Sequence, residues 1–271
     1  MINSLDRISV ATSDLERSKK IFNDFFDSSP AFEVEEKNIG YKSLIYNFEN
    51  TRLELISHLE SKENSELSNF FYDNPNGGLF GFSLRCENKE IFEKMKESST
   101  IEVVETTEGN KITFQTNDLK QSKKFKLSLN HYDSPLPNKN IDSDLFALDH
   151  LVVTTNNGDN LINLYKEKLG IRLALDQMVE EWGGRMLFFR TGHATIEVID
   201  NKVPGEDNFW GLAWKTKNIE KTCERLAEKN LNVSEVRKGR KKDTLVATVK
   251  FDEIKIPTLL VCLLYTSPSP R

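Results

Sequence analysis

A chain of 271 residues, 38% hydrophobic and 29% charged, has the make-up of a folded globular protein with room for two domains. A net charge of −5 and a pI near 5.6 argue against a general nucleic-acid binder, and no apolar run reaches the ~20 residues of a membrane span. What remains is a small-molecule partner, with no nucleic acid and no membrane. Three widely spaced cysteines, Cys86, Cys223 and Cys262, make neither a disulfide framework nor a zinc knuckle. Together with a start that lacks a signal-peptide core, they point to the cytoplasm.

Taken in order, the chain opens with a β-branched strand, Leu5–Thr12, followed by a helix capped by Ser13 or Asp14. Leu15, Ser18, Ile21, Phe22, Phe25 and Phe26 form its apolar stripe. Strands Phe32–Glu36, Tyr41–Phe48 and Arg52–Ser57 follow, the last two joined by a short turn at Glu49-Asn50. A second segment begins after the turn-rich run 73–78 with strand Phe80–Cys86 and a helix from Asn88 carrying Ile91, Phe92 and Met95. Strands Ile101–Thr106, Lys111–Thr116 and Phe125–Asn130 complete it.

The polar, proline-bearing stretch from Asp133 is the best domain boundary. Beyond it come strand Leu148–Thr155, a helix bearing Leu161, Leu164, Tyr165 and Leu169 that stops at Gly170, and strands Arg172–Met178, Arg185–Thr191 and Thr195–Ile199. A fourth segment has strand Trp210–Thr216, a helix from Asn218, and strands near Val233–Val236, Leu245–Phe251 and Thr258–Cys262. The expected division is 1–132, a linker at 133–147, 148–262, and a tail at 263–271 that reads as non-native.

The plan strand–helix–strand–strand–strand thus occurs four times. Leu5, Asp6, Val10, Thr12, Gly40, Leu44, Glu54 and Ile56 recur 143 positions later without a gap. A repeated unit too small to close a core must pair with a neighbour. Two βαβββ units paired edge to edge give a curved mixed sheet with helices outside and a concave cleft. The fold class is therefore α+β, as two such domains.

The four βαβββ units, the opening Leu148-Asp149-His150-Leu151-Val152-Val153 and the glutamate on the fourth strand resemble the vicinal oxygen chelate superfamily of glyoxalase I, extradiol dioxygenases and bleomycin-resistance-type proteins. The resemblance spans Leu5 to about Cys262. It implies a divalent metal (Fe, Mn, Ni or Zn) held in the cleft by residues from strands one and four of paired units. The matching positions are His150 and Glu197, and Arg7 and Glu54, with Gly81 and Gly211 on the remaining first strands.

Imidazole and carboxylate together suit a transition metal, which can polarise neighbouring substrate oxygens. Glu197 also qualifies as a general base, and so as a catalytic residue. Two ligands fall short of the three usual even in open catalytic sites. A further ligand would come from the last strand, at the suspected artificial end, or from His131 if units pair across domains. Arg7 cannot ligate a cation, so Arg7 and Glu54 read as an ion pair that replaces metal charge, or as a binding site for a polar or anionic ligand.

His58 and His193 read as exposed surface residues, and Trp182, Trp210 and Trp214 more readily as core than as cleft lining. The basic run Arg237-Lys238-Gly239-Arg240-Lys241-Lys242 fits a solvated hairpin turn better than a phosphate patch. Three readings follow. The first is a metal-dependent lyase, isomerase or dioxygenase acting on a small molecule with vicinal oxygens. The second is a non-catalytic resistance-type binder with degenerate ligands and cleft space at Gly81 and Gly211, and the third a scaffold that forms a homodimer.

Overall fold

The structure, a computed structural model, describes residues 2–36, 40–59, 66–88, 90, 103–108, 111–116, 125–132 and 140–264. Residues 91–95 of the helix expected from Asn88, the polar stretch 133–139 and most of the suspected tail lie outside these residues.

The first half contains β1 (Ile2–Ala11), α1 (Leu15–Phe26), β2 (Phe32–Glu36), β3 (Tyr41–Asn47), β4 (Arg52–His58), α2 (Glu66–Asp73), β5 (Gly78–Cys86), β6 (Val103–Glu108), β7 (Lys111–Thr116) and β8 (Lys126–Tyr132). They form one sheet of order β2-β3-β4-β1-β5-β8-β7-β6. The second half contains β9 (Leu145–Thr155), α3 (Gly158–Ile162, continuing as a π-helical turn, Asn163–Lys168), β10 (Arg172–Val179), β11 (Gly184–Thr191), β12 (Ala194–Asp200), β13 (Asn208–Thr216), α4 (Ile219–Glu228), β14 (Asn232–Val233), β15 (Arg237–Lys238), β16 (Thr244–Lys250) and β17 (Thr258–Leu263). Its sheet runs β10-β11-β12-β9-β13-β17-β16-β14, with β15 hydrogen-bonded to β16.

In each sheet the first strands of two units lie side by side and antiparallel, β1 with β5 and β9 with β13. Units therefore pair within each half of the chain. The first strand of each unit is parallel to that unit's last strand, an arrangement that requires a crossover and explains the helix in between.

Local chemistry sets the helix ends. The Asp14 side chain accepts from Arg17 N at 3.0 Å to cap α1, and Asp27 closes it in a left-handed conformation. Asn218 caps α4 in the same way through Lys221 N.

The halves share one core. Phe22, Phe25 and Phe26 of α1, each 2% exposed or less, contact Phe251, Tyr46 and Trp214. Burying each such ring is worth ~1.5–3 kcal/mol. The Arg225 guanidinium, held by Asp144 at 2.7 Å, donates to the carbonyls of Asp24 and Phe25 and so caps the end of α1 from the other half.

Several boundaries differ from expectation. β9 starts at Leu145, three residues earlier, because Leu145 and Leu148 are fully buried. The strand expected near Val233–Val236 is split into β14 and β15. β17 runs through Leu263, which pairs with Thr244. The unanticipated α2 follows Leu67, Phe70 and Phe71, whose helical spacing lay next to the turn-rich run.

Candidate active site

Strand register decides which residues of the four units are equivalent. Arg7 pairs across β1–β5 with Ser83, not with Gly81, and His150 pairs with Ala213, not with Gly211. Along the parallel pairs, Arg7 faces Arg52 and His150 faces Thr195; Glu54 and Glu197 stand two residues further on. The same step takes Ser83 to Asn130 and Ala213 to Val261. The sequence-based placement of Gly81 and Gly211 is therefore displaced by two residues. Nor do these glycines leave cleft space. A β-carbon on Gly81 would lie 2.3 Å from Lys126 O, and one on Gly211 2.8 Å from Pro257 O, so both serve close strand contact.

Each central strand carries a bulge. The pairing shifts between Leu5 and Arg7 in β1, and opposite Leu148 and His150 in β9. The bulged residues are Asp6 and Asp149, and their side chains join Arg7 and His150 on the concave face. This is a common use of a bulge beside a site.

In the first cleft the charges neutralise one another. Arg7 Nη1 lies 2.7 Å from Glu54 Oε1, whose other oxygen accepts from Ser9 Oγ at 3.0 Å. Asp6, 4% exposed, pairs with Arg52 and accepts from Asn130 Nδ2 (2.6 Å), Tyr132 OH (2.9 Å) and Ser83 Oγ (3.2 Å). Burial pushes the Asp6 carboxyl up, but Arg52, Arg7 and these donors outweigh it and hold it below the usual carboxylate range. A cavity of about 90 Å³ remains beside Arg7, Glu54, Ser83 and Asn130. Phe80 also lines it and stacks edge-on against Phe70 of α2. His58 is not the surface residue expected. It packs against Phe71, meets Ser68 Oγ at 3.3 Å, and is held below its ordinary pKa by burial.

In the second cleft the partners differ. His150 Nδ1 lies 2.9 Å from Asp149 Oδ2, and His150 Nε2 lies 3.7 Å from Glu197 Oε2. Burial raises the Asp149 pKa, but the hydrogen bond and charge of His150, with Lys215 and Lys241, outweigh it and keep the group ionised at neutral pH. An ionised carboxylate only accepts, so Nδ1 carries a hydrogen and Nε2 faces Glu197. Burial outweighs His150 and Arg240 at Glu197 and lifts its carboxyl above the usual range.

Across the cleft, Ala213, Val246 and Val261 make an apolar wall with Leu259 packed on it. The bulge that carries Asp149 is braced from the first half: Asn50 accepts from Leu148 N at 3.0 Å and donates to Leu148 O at 2.8 Å.

The remaining candidates fall elsewhere. His131 bonds Cys86 O through Nδ1 at 2.9 Å and is 7% exposed, while its neighbour Asn130 faces the cavity. His193 is exposed in its turn. Trp214 is core, but Trp210 is 49% exposed and Trp182 half-buried, because neither lies at a regular inward position of a strand.

Residues 149–248 match the model of the Glyoxalase/Bleomycin resistance protein/Dioxygenase superfamily. A triple mutant of 4-hydroxymandelate synthase from Streptomyces coelicolor superposes with a TM-score of 0.74 at 11% identity, covering 97% of this chain and 93% of that one. BphC, a halotolerant catechol dioxygenase, gives 0.64 at 12% identity, covering 100% and 91%. The mitochondrial methylmalonyl-CoA epimerase of Dictyostelium discoideum is 24% identical over 106 residues. That match takes in 39% of this chain and 63% of the epimerase, so just under two thirds of that relative is spanned.

The chain has the vicinal oxygen chelate fold, and residues 149–248 match the superfamily's model.

Whether a vicinal oxygen chelate metal suits these clefts is a question of donor atoms. The second cleft supplies His150 and Glu197, but the paired unit supplies the methyl groups of Ala213 and Val261. Val261 lies within β17, so the strand-four position is present and simply lacks a donor. In the first cleft, Arg7 repels a cation. Among the described residues no three histidine, cysteine, aspartate or glutamate side chains cluster as a metal site. The donor set does not fit a resident metal of this family's kind.

Proposed function

We propose that the second cleft is the working site of a glyoxalase-like protein, which binds a small molecule with neighbouring oxygens and moves a proton on it without a resident metal. One observation carries this reading: the Asp149–His150–Glu197 series on a concave, partly open face, with Glu197 raised by burial and His150 oriented by an ionised aspartate. A carboxyl whose pKa is lifted toward neutrality is a better base than an ordinary one. On a substrate with a hydroxyl-bearing C–H beside a carbonyl, Glu197 takes the carbon-bound proton while His150 Nε2, the acceptor nitrogen of the ring, takes the hydroxyl proton and passes it to the neighbouring carbonyl oxygen. Glu197, its proton exchanged with solvent, then protonates the neighbouring carbon of the enediol, so atoms and charge balance over the cycle as an isomerisation.

The apolar wall of Ala213, Val246 and Val261 favours a second reading, in which the cleft binds such a molecule without turning it over. The readings separate by exchange of solvent deuterium into a 2-hydroxy ketone probe, followed by NMR with chelator present. The first predicts exchange that Glu197→Gln abolishes and that chelator leaves unchanged. Binding dependent on His150 with no exchange supports the second, and exchange lost on chelation sinks the metal-free account.

A further inference from the structure

The basic run at 237–242 is a hairpin turn, as its composition suggests, but its place in the fold is informative. β15 pairs with β16 at Arg237↔Val246 and Lys238↔Leu245, and Val246 belongs to the apolar wall of the second cleft. The run is therefore the rim next to that wall. From it, Arg240 reaches the turn between β10 and β11, with its guanidinium 5.6 Å from the centre of the Trp182 ring. β10 and β11 lie at one end of the sheet order, and β16 with β15 at the other. One side-chain contact thus links loops at the two ends of the nine-stranded sheet.

Arg237, Lys238, Arg240, Lys241 and Lys242 are all exposed, and among the described residues none forms an ion pair. Carboxylates stand near them: Glu180 and Glu181 beside Trp182, Asp243 in the turn and Glu235 before it. None comes within salt-bridge distance of the five cations. In a chain of net charge −5, five unpaired cations at a cleft mouth concentrate positive potential where a ligand must pass. The field reaches the floor as well, since Arg240 acts on Glu197 and Lys241 on Asp149.

We propose that the molecule taken by the second cleft carries a phosphate or pyrophosphate group, held at the rim by Arg240, Lys241 and their basic neighbours while its reactive end reaches His150 and Glu197. This rests on the reading of the second cleft as the working site. Guanidinium groups grip phosphate oxygens in pairs, and lysines add point charges without fixed geometry. Trp182 holds Arg240 against an aromatic face and limits the rotamers it must give up on binding.

The test titrates the full chain with inorganic pyrophosphate by calorimetry and by tryptophan fluorescence, at two salt concentrations. Wild type should bind, and the double variant Arg240→Gln with Lys241→Gln should bind about tenfold more weakly or worse, with a shallower salt dependence. Arg17→Gln, at the exposed ion pair with Glu253, should bind as wild type does. His150→Ala should hold pyrophosphate within about twofold while losing deuterium exchange into the ketone probe. No binding by wild type, equal binding by the rim variant, or equal loss with Arg17→Gln overturns the rim proposal and leaves the cleft reading standing. Exchange that survives His150→Ala overturns the cleft reading even if pyrophosphate binds at the rim.

Discussion

The two clefts are built on one frame and diverge at a few side chains. Both have a bulged aspartate, Asp6 or Asp149, next to a strand-one residue that faces a glutamate. In the first, Arg52, Ser83, Asn130 and Tyr132 complete a buried network around the aspartate. In the second, register places Thr195, Ala213, Val261 and Leu263 at those positions, and among the described residues His150 and Lys215 lie within 4 Å of the aspartate. Donors that satisfy a buried carboxylate lock the first cleft, and their absence leaves the second with an oriented imidazole and an apolar wall. Asn50 ties the two together, since the locked half braces the bulge of the open one.

The largest effect should come from breaking the locked network. Asp6→Ala leaves Arg52 buried without its carboxylate and should cost ~3–5 kcal/mol in urea unfolding. The equivalent Asp149→Ala, at a half-buried position, should cost under ~1 kcal/mol. Similar costs at the two sites would erase the contrast. Next in size, Asn50→Ala should cost ~1–3 kcal/mol, because the Leu148 N–H and C=O lose their partners. It should also weaken ligand binding in the second cleft, through the bulge it supports. Loss of stability with ligand affinity unchanged would show that the brace does not reach the site.

pH dependence should divide the clefts by sign. The Asp6 pKa is lowered by folding, so its contribution is present above the ordinary carboxylate range and lost as pH falls. The Glu197 pKa is raised, so folding favours its protonated form and stability declines as pH rises from the ordinary value of 4.5 through the raised one. Urea midpoints against pH should therefore flatten on the acid side for Asp6→Asn, and lose the decline above pH 4.5 for Glu197→Gln. The reverse assignment would contradict the burial argument. The smallest effect is expected from Glu54→Gln, which should leave ligand binding in the second cleft unchanged, since Glu54 bonds only Arg7 and Ser9 in the first.

Much of this architecture is legible in the sequence, and for a physical reason. The offset of 143 residues preserves Leu5, Asp6, Glu54 and their counterparts because they hold the bulge and the cleft floor. The pairs Arg7 with Glu54 and His150 with Glu197 follow directly from that match. Aligning glycines misled the other half of each quartet. Gly81 and Gly211 recur because backbone carbonyls crowd them, while the cleft positions two residues on, Ser83 and Ala213, have no chemistry in common to betray them. Trp210 and Arg240 were hidden for another reason. One sits on a bulge and the other meets Trp182 only when the sheet curls, and neither follows a period of two along a strand.

The second cleft is proposed to work with His150 and Glu197 alone, since the paired unit places Ala213 and Val261 at the matching positions. Equilibrium dialysis of the full chain against Ni²⁺ tests it most directly, with wild type, the variant His150→Ala with Glu197→Ala, and the graft Ala213→His with Val261→Glu. Wild type and the double alanine variant should bind equally weakly, and the graft should gain at least ~100-fold by completing the ligand set. One equivalent held tightly by wild type and lost in the double alanine variant would contradict the account.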